Sequence, residues 1–289
     1  NTNSIEGSIH SPYIELSDLQ KAFVDIVQLP FETYGGGEAT VNFSGPLEGG
    51  ISLMSYNLKS RFINGNIANE SFDEAIFDVT SQKGHVKADR AYVKKSGGTL
   101  TLTGTAEPSG QINTEWVGKN FTLQSLNTFA KAEIDIDSDL NFKLNLTDYI
   151  LKPKSLLTGT LTKTRIAQEK LADSQFSLSF NKNTIEGEGK IFGDKIHGKF
   201  TLPLTDEAPF SLVAKVDKWD FVPLIHLISS KSRAQEFSTS LTGTVQLASP
   251  KNGFWNATGD IFVQQLNIQR GIKELQSSEP INIKFDHGH

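Results

Sequence analysis

The sequence predicts an all-β protein built on a long, mainly antiparallel sheet with a few short helices. Three observations carry that expectation. From Ile134 to Leu146 the chain alternates, with Ile134, Ile136, Leu140, Phe142, Leu144 and Leu146 on one parity and only Ser138 interrupting them. Asp135, Asp137, Asp139, Asn141, Lys143 and Asn145 hold the other parity, so an extended strand there has one apolar and one wet face. Similar short runs recur, separated by Gly, Asn and Pro turn signals. Hydrophobic content is 37% and charged content 21%, which fits a sheet wetted on one side better than a parallel sheet covered on both.

Taken in order, the first element is a helix over 19–27. Ser17 and Asp18 precede it, Leu19, Phe23 and Ile26 share its face, and it stops before Pro30. The run Tyr34-Gly35-Gly36-Gly37 reads as a flexible turn, because it lacks the Lys-Ser/Thr of a phosphate loop. A strand over 51–58 is followed by a turn at Asn64-Gly65-Asn66. Strands over 74–79, 86–93 and 99–105 end at Lys83-Gly84, Ser96-Gly97-Gly98 and Pro108-Ser109-Gly110. A short helix over 123–129 precedes the strand at 134–146. Strands follow over 155–165, 175–180, 199–204 and 210–216, then a short helix over 221–229 with Pro223 in its first turn. The last strands are 240–247, 259–268 and 281–285.

The helical spots expose a loose internal repeat. Segments 9–19, 116–126 and 216–227 each read as strand, polar step, aromatic or aliphatic pair, then helix. A second signature recurs at 41–49, 102–110 and 241–250. The chain thus reads as one repetitive segment, 1–289, with repeats 1–110, 111–215 and 216–289, each burying its apolar face against its neighbours. Trp116 and Trp219 take equivalent repeat positions and read as core anchors.

Few sites of chemistry stand out. Net charge is −5 with no long basic run, so a nucleic-acid footprint is absent. Cys is absent, which removes disulfides, thiolate metal sites and Cys nucleophiles. Asp135, Asp137 and Asp139 imitate the start of a calcium loop, but Leu140 and Leu146 stand where its Gly and Glu belong. His10, His85, His197 and His226 have no metal-like spacing, and His287 and His289 form a terminal pair. No Gly-x-Ser-x-Gly occurs. The expectation is therefore a protein that is not an enzyme and holds no metal or cofactor. Phe (19) far outnumbers Met (1), so the apolar surface is rigid. No apolar run approaches a membrane span. Residue 1 begins mid-pattern, and the chain reads as a segment of a longer protein.

At 96–106, 209–224, 241–247 and 259–285 the chain resembles the AsmA-like/TamB family of bacterial envelope proteins. The likeness is one of rhythm, and it covers most of the chain from about residue 96 onward. It implies a long sheet curled into a U-shaped apolar trough (β-taco-like). The implied role is carrying phospholipid between inner and outer membranes, or assisting outer-membrane protein assembly as a structural or chaperone-like β-scaffold. The implied setting is the periplasm, with an inner-membrane anchor outside this segment and an outer-membrane protein as a further partner.

Such a trough would be lined by the residues of apolar parity. These are Ile134, Ile136, Leu140, Phe142, Leu144, Leu146, Phe176, Leu178, Phe180, Phe200, Leu202, Leu204, Phe210 and Leu212. Exposing a 16-carbon acyl chain to water costs on the order of 13 kcal/mol at about 0.8 kcal/mol per CH₂, and a continuous apolar face removes that cost without chemistry. Periodicity alone leaves a closed sandwich, with the same residues packed on one another, as the alternative.

Overall fold

The computed structural model describes residues 4–22, 32–46, 54–127, 130, 136–166, 169–181, 183–223, 237–250 and 257–286. It is all-β, with eighteen strands in one large antiparallel open sheet that is not a closed barrel. The first seven strands are β1 (Ser4–Glu15), β2 (Thr33–Pro46), β3 (Ser55–Ile67), β4 (Glu70–Gln82), β5 (His85–Lys95), β6 (Gly98–Ala106) and β7 (Gln111–Thr122). Each pairs antiparallel with the next. Strands β8 (Ile136–Tyr149), β9 (Lys152–Ile166) and the two-residue β10 (Glu169–Lys170) follow. Then come β11 (Ser174–Phe180), β12 (Thr184–Ile191), β13 (Ile196–Pro203), β14 (Phe210–Trp219), β15 (Phe237–Ser249) and β16 (Thr258–Arg270). Strand β9 pairs with β10 and β11, and β11 to β16 pair in succession. Strands β17 (Lys273–Gln276) and β18 (Ile281–Phe285) both pair with β16.

The chain divides into two compact units, Asn1–Ala132 with Asn141–Lys154, and Glu133–Leu140 with Ser155–His289. In the first, the two-turn helix α1 (Leu16–Ala22) lays Leu16 and Leu19 onto the sheet. They join Ala39, Leu58, Phe62, Phe72 and Ala75 in a buried cluster, with Ile14, Val41, Ile67, Phe77 and Val93 against it. Phe62 is wholly buried and tilts against Phe77, with ring centroids 6.2 Å apart. Among the described residues of the second unit the buried cluster is smaller: Phe210, Leu247 and Ala257, flanked by Leu212, Val245 and Phe285.

Two-residue turns close three hairpins of the first unit. Ala68–Asn69, Lys83–Gly84 and Ser96–Gly97 each place both residues at positive φ, the twist that suits a tight hairpin. The turn expected at Asn64–Asn66 is instead a bulge inside β3. Asn64 alone takes the left-handed conformation, at φ 53°, and the register with β2 shifts there. One left-handed residue makes a bulge, whereas the reversal needs the pair at Ala68–Asn69. The glycine run at 34–37 is likewise no turn but part of β2. Its backbone lies tight under neighbours, with a methyl on Gly37 falling 2.7 Å from the Phe62 ring.

The helices differ from expectation at their ends. Helix α1 starts at Leu16, so Ser17 sits inside it, and Phe23, Ile26 and Pro30 lie outside the described residues. Leu123–Ser125 is a 3-10 turn, Val222 and Pro223 are helical whereas Phe221 is not, and 224–229 of the expected 221–229 helix lie outside the described residues. The periodicity does not predict β12, whose sequence is Glu- and Gly-rich.

A packing device recurs across the sheet. Gly7, Gly37, Gly65, Gly159 and Gly187 stand opposite Phe43, Phe62, Phe72, Phe176 and Phe200 on the following paired strand. Each ring lies back over its glycine, with a methyl there coming within 2.3–2.7 Å of a ring atom. Gly118 and Phe142 meet in the same way, at 2.1 Å. We expect Gly187→Val to cost about 1–3 kcal/mol through overpacking, read as a lowered urea midpoint. A neutral result would mean that the Phe200 ring is free to lift away.

Candidate functional site: the apolar sheet face

Cross-strand register sorts the second unit into two faces, because directly opposed residues project to the same side. One row runs Leu157, Leu178, Gly187, Phe200, Leu212, Leu247, Gly259, Phe285. A neighbouring row runs Gly159, Phe176, Gly189, Gly198, Ala214, Val245, Ile261, Ile283. Phe180, Ile185 and Leu202 form a third row on this face. The opposite face carries Thr158, Ser177, Glu188, Lys199, Val213, Gln246, Asp260 and Lys284. There Lys199 pairs with Glu188 at 3.1 Å, an exposed ion pair worth well under about 1 kcal/mol.

The first unit repeats the pattern. Ile9, Val41, Leu58, Val79 and Ala88 share a row, as do Ile14, Gly37, Phe62, Ala75, Val93, Leu100 and Gly118. Ser8, Asn42, Asn57, Thr80, Lys87, Thr105 and Asn113 line the other side. Helix α1 covers part of the apolar face here. Tyr56 is buried on this face, and burial holds its phenol above the usual tyrosine range, with the Ser81 hydroxyl acting in the opposite sense.

The predicted lining residues distribute as follows. Phe176, Leu178, Phe180, Phe200, Leu202 and Leu212 share the apolar face of the second unit. Phe176, Leu178, Phe200 and Leu212 are half-buried, whereas Phe180 and Leu202 are exposed. Phe210 is buried in the small cluster with Leu247 and Ala257. Leu204 follows β13 and is exposed, its N–H donating to the Asn183 carbonyl at 2.7 Å. Ile136, Leu140, Phe142, Leu144 and Leu146 lie half-buried along β8. Phe142 lies over Gly118 and packs 6.1 Å from Phe121. Ile134 lies outside the described residues. Ser138, the interruption in the pattern, is buried and bonds the Thr164 hydroxyl at 2.9 Å and the Thr162 carbonyl at 3.2 Å.

The face is only partly closed. Leu202 at 41%, Ile281 at 42% and Ile283 at 46% remain in contact with solvent. Sequence reasoning missed Leu157, Ile185, Val245, Leu247, Ile261 and Ile283 as members of this face. Except for Ile185 in the unpredicted β12, their signal was there, in the parity of their own strands.

Three strands lead into helical turns, each by its own irregularity. Strand β1 shifts register between Ser11 and Ile14 and leads into α1. Strand β7 has Asn120 at φ 56° before the 3-10 turn, and β14 has Lys218 at φ 43° before Val222. The Asn120 N–H donates to Asn141 Oδ1 at 3.0 Å, and the Lys218 N–H to Thr242 Oγ1 at 3.1 Å. In the first unit the nearly buried Lys95 ammonium donates to Glu70 and to Asn127 Oδ1, while the Asn127 N–H donates to Glu70 Oε2 at 3.0 Å. Trp116 lies opposite Leu102, and Trp219 stacks on Phe192 at 6.1 Å.

Among the described residues the histidines and carboxylates do not gather into a metal-binding group. His10 bonds Thr40, His85 pairs with Glu107, and His197 stands between Lys190 and Lys215. His226, His287, His289 and Asp135 lie outside the described residues. Asp139 pairs with Lys163 at 2.8 Å and holds its ammonium above the usual lysine range, first through the hydrogen bond. Among the described residues no group of three His, Cys, Asp or Glu is placed to hold a metal, and no helix is long and apolar enough to cross a membrane. Comparison with protein-family models, with curated proteins and with solved structures finds no match.

Proposed function

We propose that this chain is a segment of a periplasm-spanning protein that carries phospholipid between inner and outer membranes. Its apolar sheet face, curled into a U-shaped trough, shields the acyl chains. The polar face and the head groups stay in water, and no enzymatic step is involved. The observation that carries this reading is the unbroken succession of apolar or glycine positions from Leu157 to Phe285, half-buried except at Leu247, which is buried against Phe210 and Ala257. A face of that kind stabilises an acyl chain by about 25 cal/mol per Å² covered, and it asks for no catalytic group. On this reading the partners are phospholipid acyl chains, the inner membrane through an anchor outside this segment, and an outer-membrane protein.

Photo-crosslinkers placed in the full chain test it. Leu178 and Phe200 should capture lipid in cells, while Glu188 and Lys199 on the other face should not. Equal capture on both faces, or capture of polypeptide in place of lipid, would refute the trough. Polypeptide capture would instead favour a scaffold for assembling outer-membrane proteins.

A further inference from the structure

The hairpin joining β8 to β9 carries a feature the trough does not use. Its tip presents Tyr149, Ile150 and Leu151 to water, at 49%, 43% and 90% exposure. Three consecutive large apolar residues at a turn are unusual, because a tip cannot be covered by a neighbouring strand. The tip is held firmly. The Ile150 N–H donates to the Gly110 carbonyl at 2.9 Å, which ties it to the β6–β7 turn. Lys152 and Lys154 follow directly and are exposed, and Lys154 reaches back to Asp148 at 3.2 Å. Lys83 is exposed at the β4–β5 turn, and His85 beside it pairs with Glu107 at the foot of the β6–β7 turn. The same chemistry recurs in the second unit, where Ile272 is fully exposed at the β16–β17 turn between Arg270 and Lys273.

We propose that the Tyr149–Lys154 tip docks on an anionic phospholipid membrane surface. The aliphatic residues enter the acyl boundary, the Tyr149 hydroxyl stays at head-group level, and Lys152 and Lys154 face the lipid phosphates. Charge complementarity decides for a membrane over an apolar protein groove, since Lys152 and Lys154 follow the inserted residues and the one anion before them, Asp148, is neutralised by Lys154. This inference stands whether or not the sheet face carries lipid.

The absence of cysteine makes the test clean. A single Leu151→Cys substitution in the full chain, labelled with a polarity-sensitive fluorophore, should shift to the blue on vesicles containing phosphatidylglycerol. It should respond far less to phosphatidylcholine vesicles. A label at Glu188→Cys should not shift with either. In vesicle sedimentation, Ile150→Ser with Leu151→Ser should weaken partitioning by at least about tenfold. Lys152→Gln should remove about fivefold of the preference for anionic vesicles. These residues are exposed, so circular dichroism should be unchanged. No shift at Leu151→Cys, an equal shift at Glu188→Cys, or unaltered partitioning of the serine variant would overturn the proposal. Failure of the crosslinking experiment above would leave these results untouched.

Discussion

Phe62→Ala is expected to destabilise the first unit by about 3–5 kcal/mol. The ring is wholly buried, meets Phe77, lies over Gly37 and sits in the cluster roofed by Leu16 and Leu19. Nothing beside it can collapse to fill the space, because its neighbours are held in strand register. Urea unfolding followed by far-ultraviolet circular dichroism should show the loss as a shifted midpoint. Among the described residues the buried cluster of the second unit is smaller, made of Phe210, Leu247 and Ala257. A change below about 1 kcal/mol would mean that the helix-capped cluster is not what holds the first unit together.

Leu212→Asp should abolish lipid capture at the neighbouring Phe200. Leu212 is half-buried and lies directly between Phe200 and Leu247 on the apolar face. A carboxylate there forces any acyl chain crossing the row either to strip its hydration, at several kcal/mol, or to lose contact with the sheet. Leu212→Ala separates this from damage to the fold, since it shortens the side chain without adding charge. The alanine variant should keep most lipid capture and the aspartate variant should lose nearly all of it, with both folded by circular dichroism. An aspartate variant that is folded and captures lipid normally would defeat the trough reading.

Much of this fold was legible because each strand with a wet side declares itself by alternation. The run at 134–146 did so, and β8 follows it closely. Strand β12 was silent for a physical reason. Its inward positions Gly187 and Gly189 bring no side chain, and Phe200 and Phe176 on the neighbouring strands supply the apolar cover. A pattern read one strand at a time cannot see a surface contributed by the strand alongside. Asn64-Gly65 misled in the opposite sense, since a left-handed residue serves a bulge as readily as a reversal. The face itself was partly legible. Parity named Leu178, Phe200 and Leu212, but only register shows that they abut, or that Phe210 turns into a buried cluster.

The phenylalanines that lean back over glycines have a mechanical consequence for a mobile guest. Like shingles, each ring flattens the step between two strands, filling a hollow where a methylene would otherwise lodge. Binding strength then varies little from one strand to the next. On the lipid-carrying reading proposed above, a molecule on such a surface would feel low corrugation and would creep by thermal drift instead of hopping between wells.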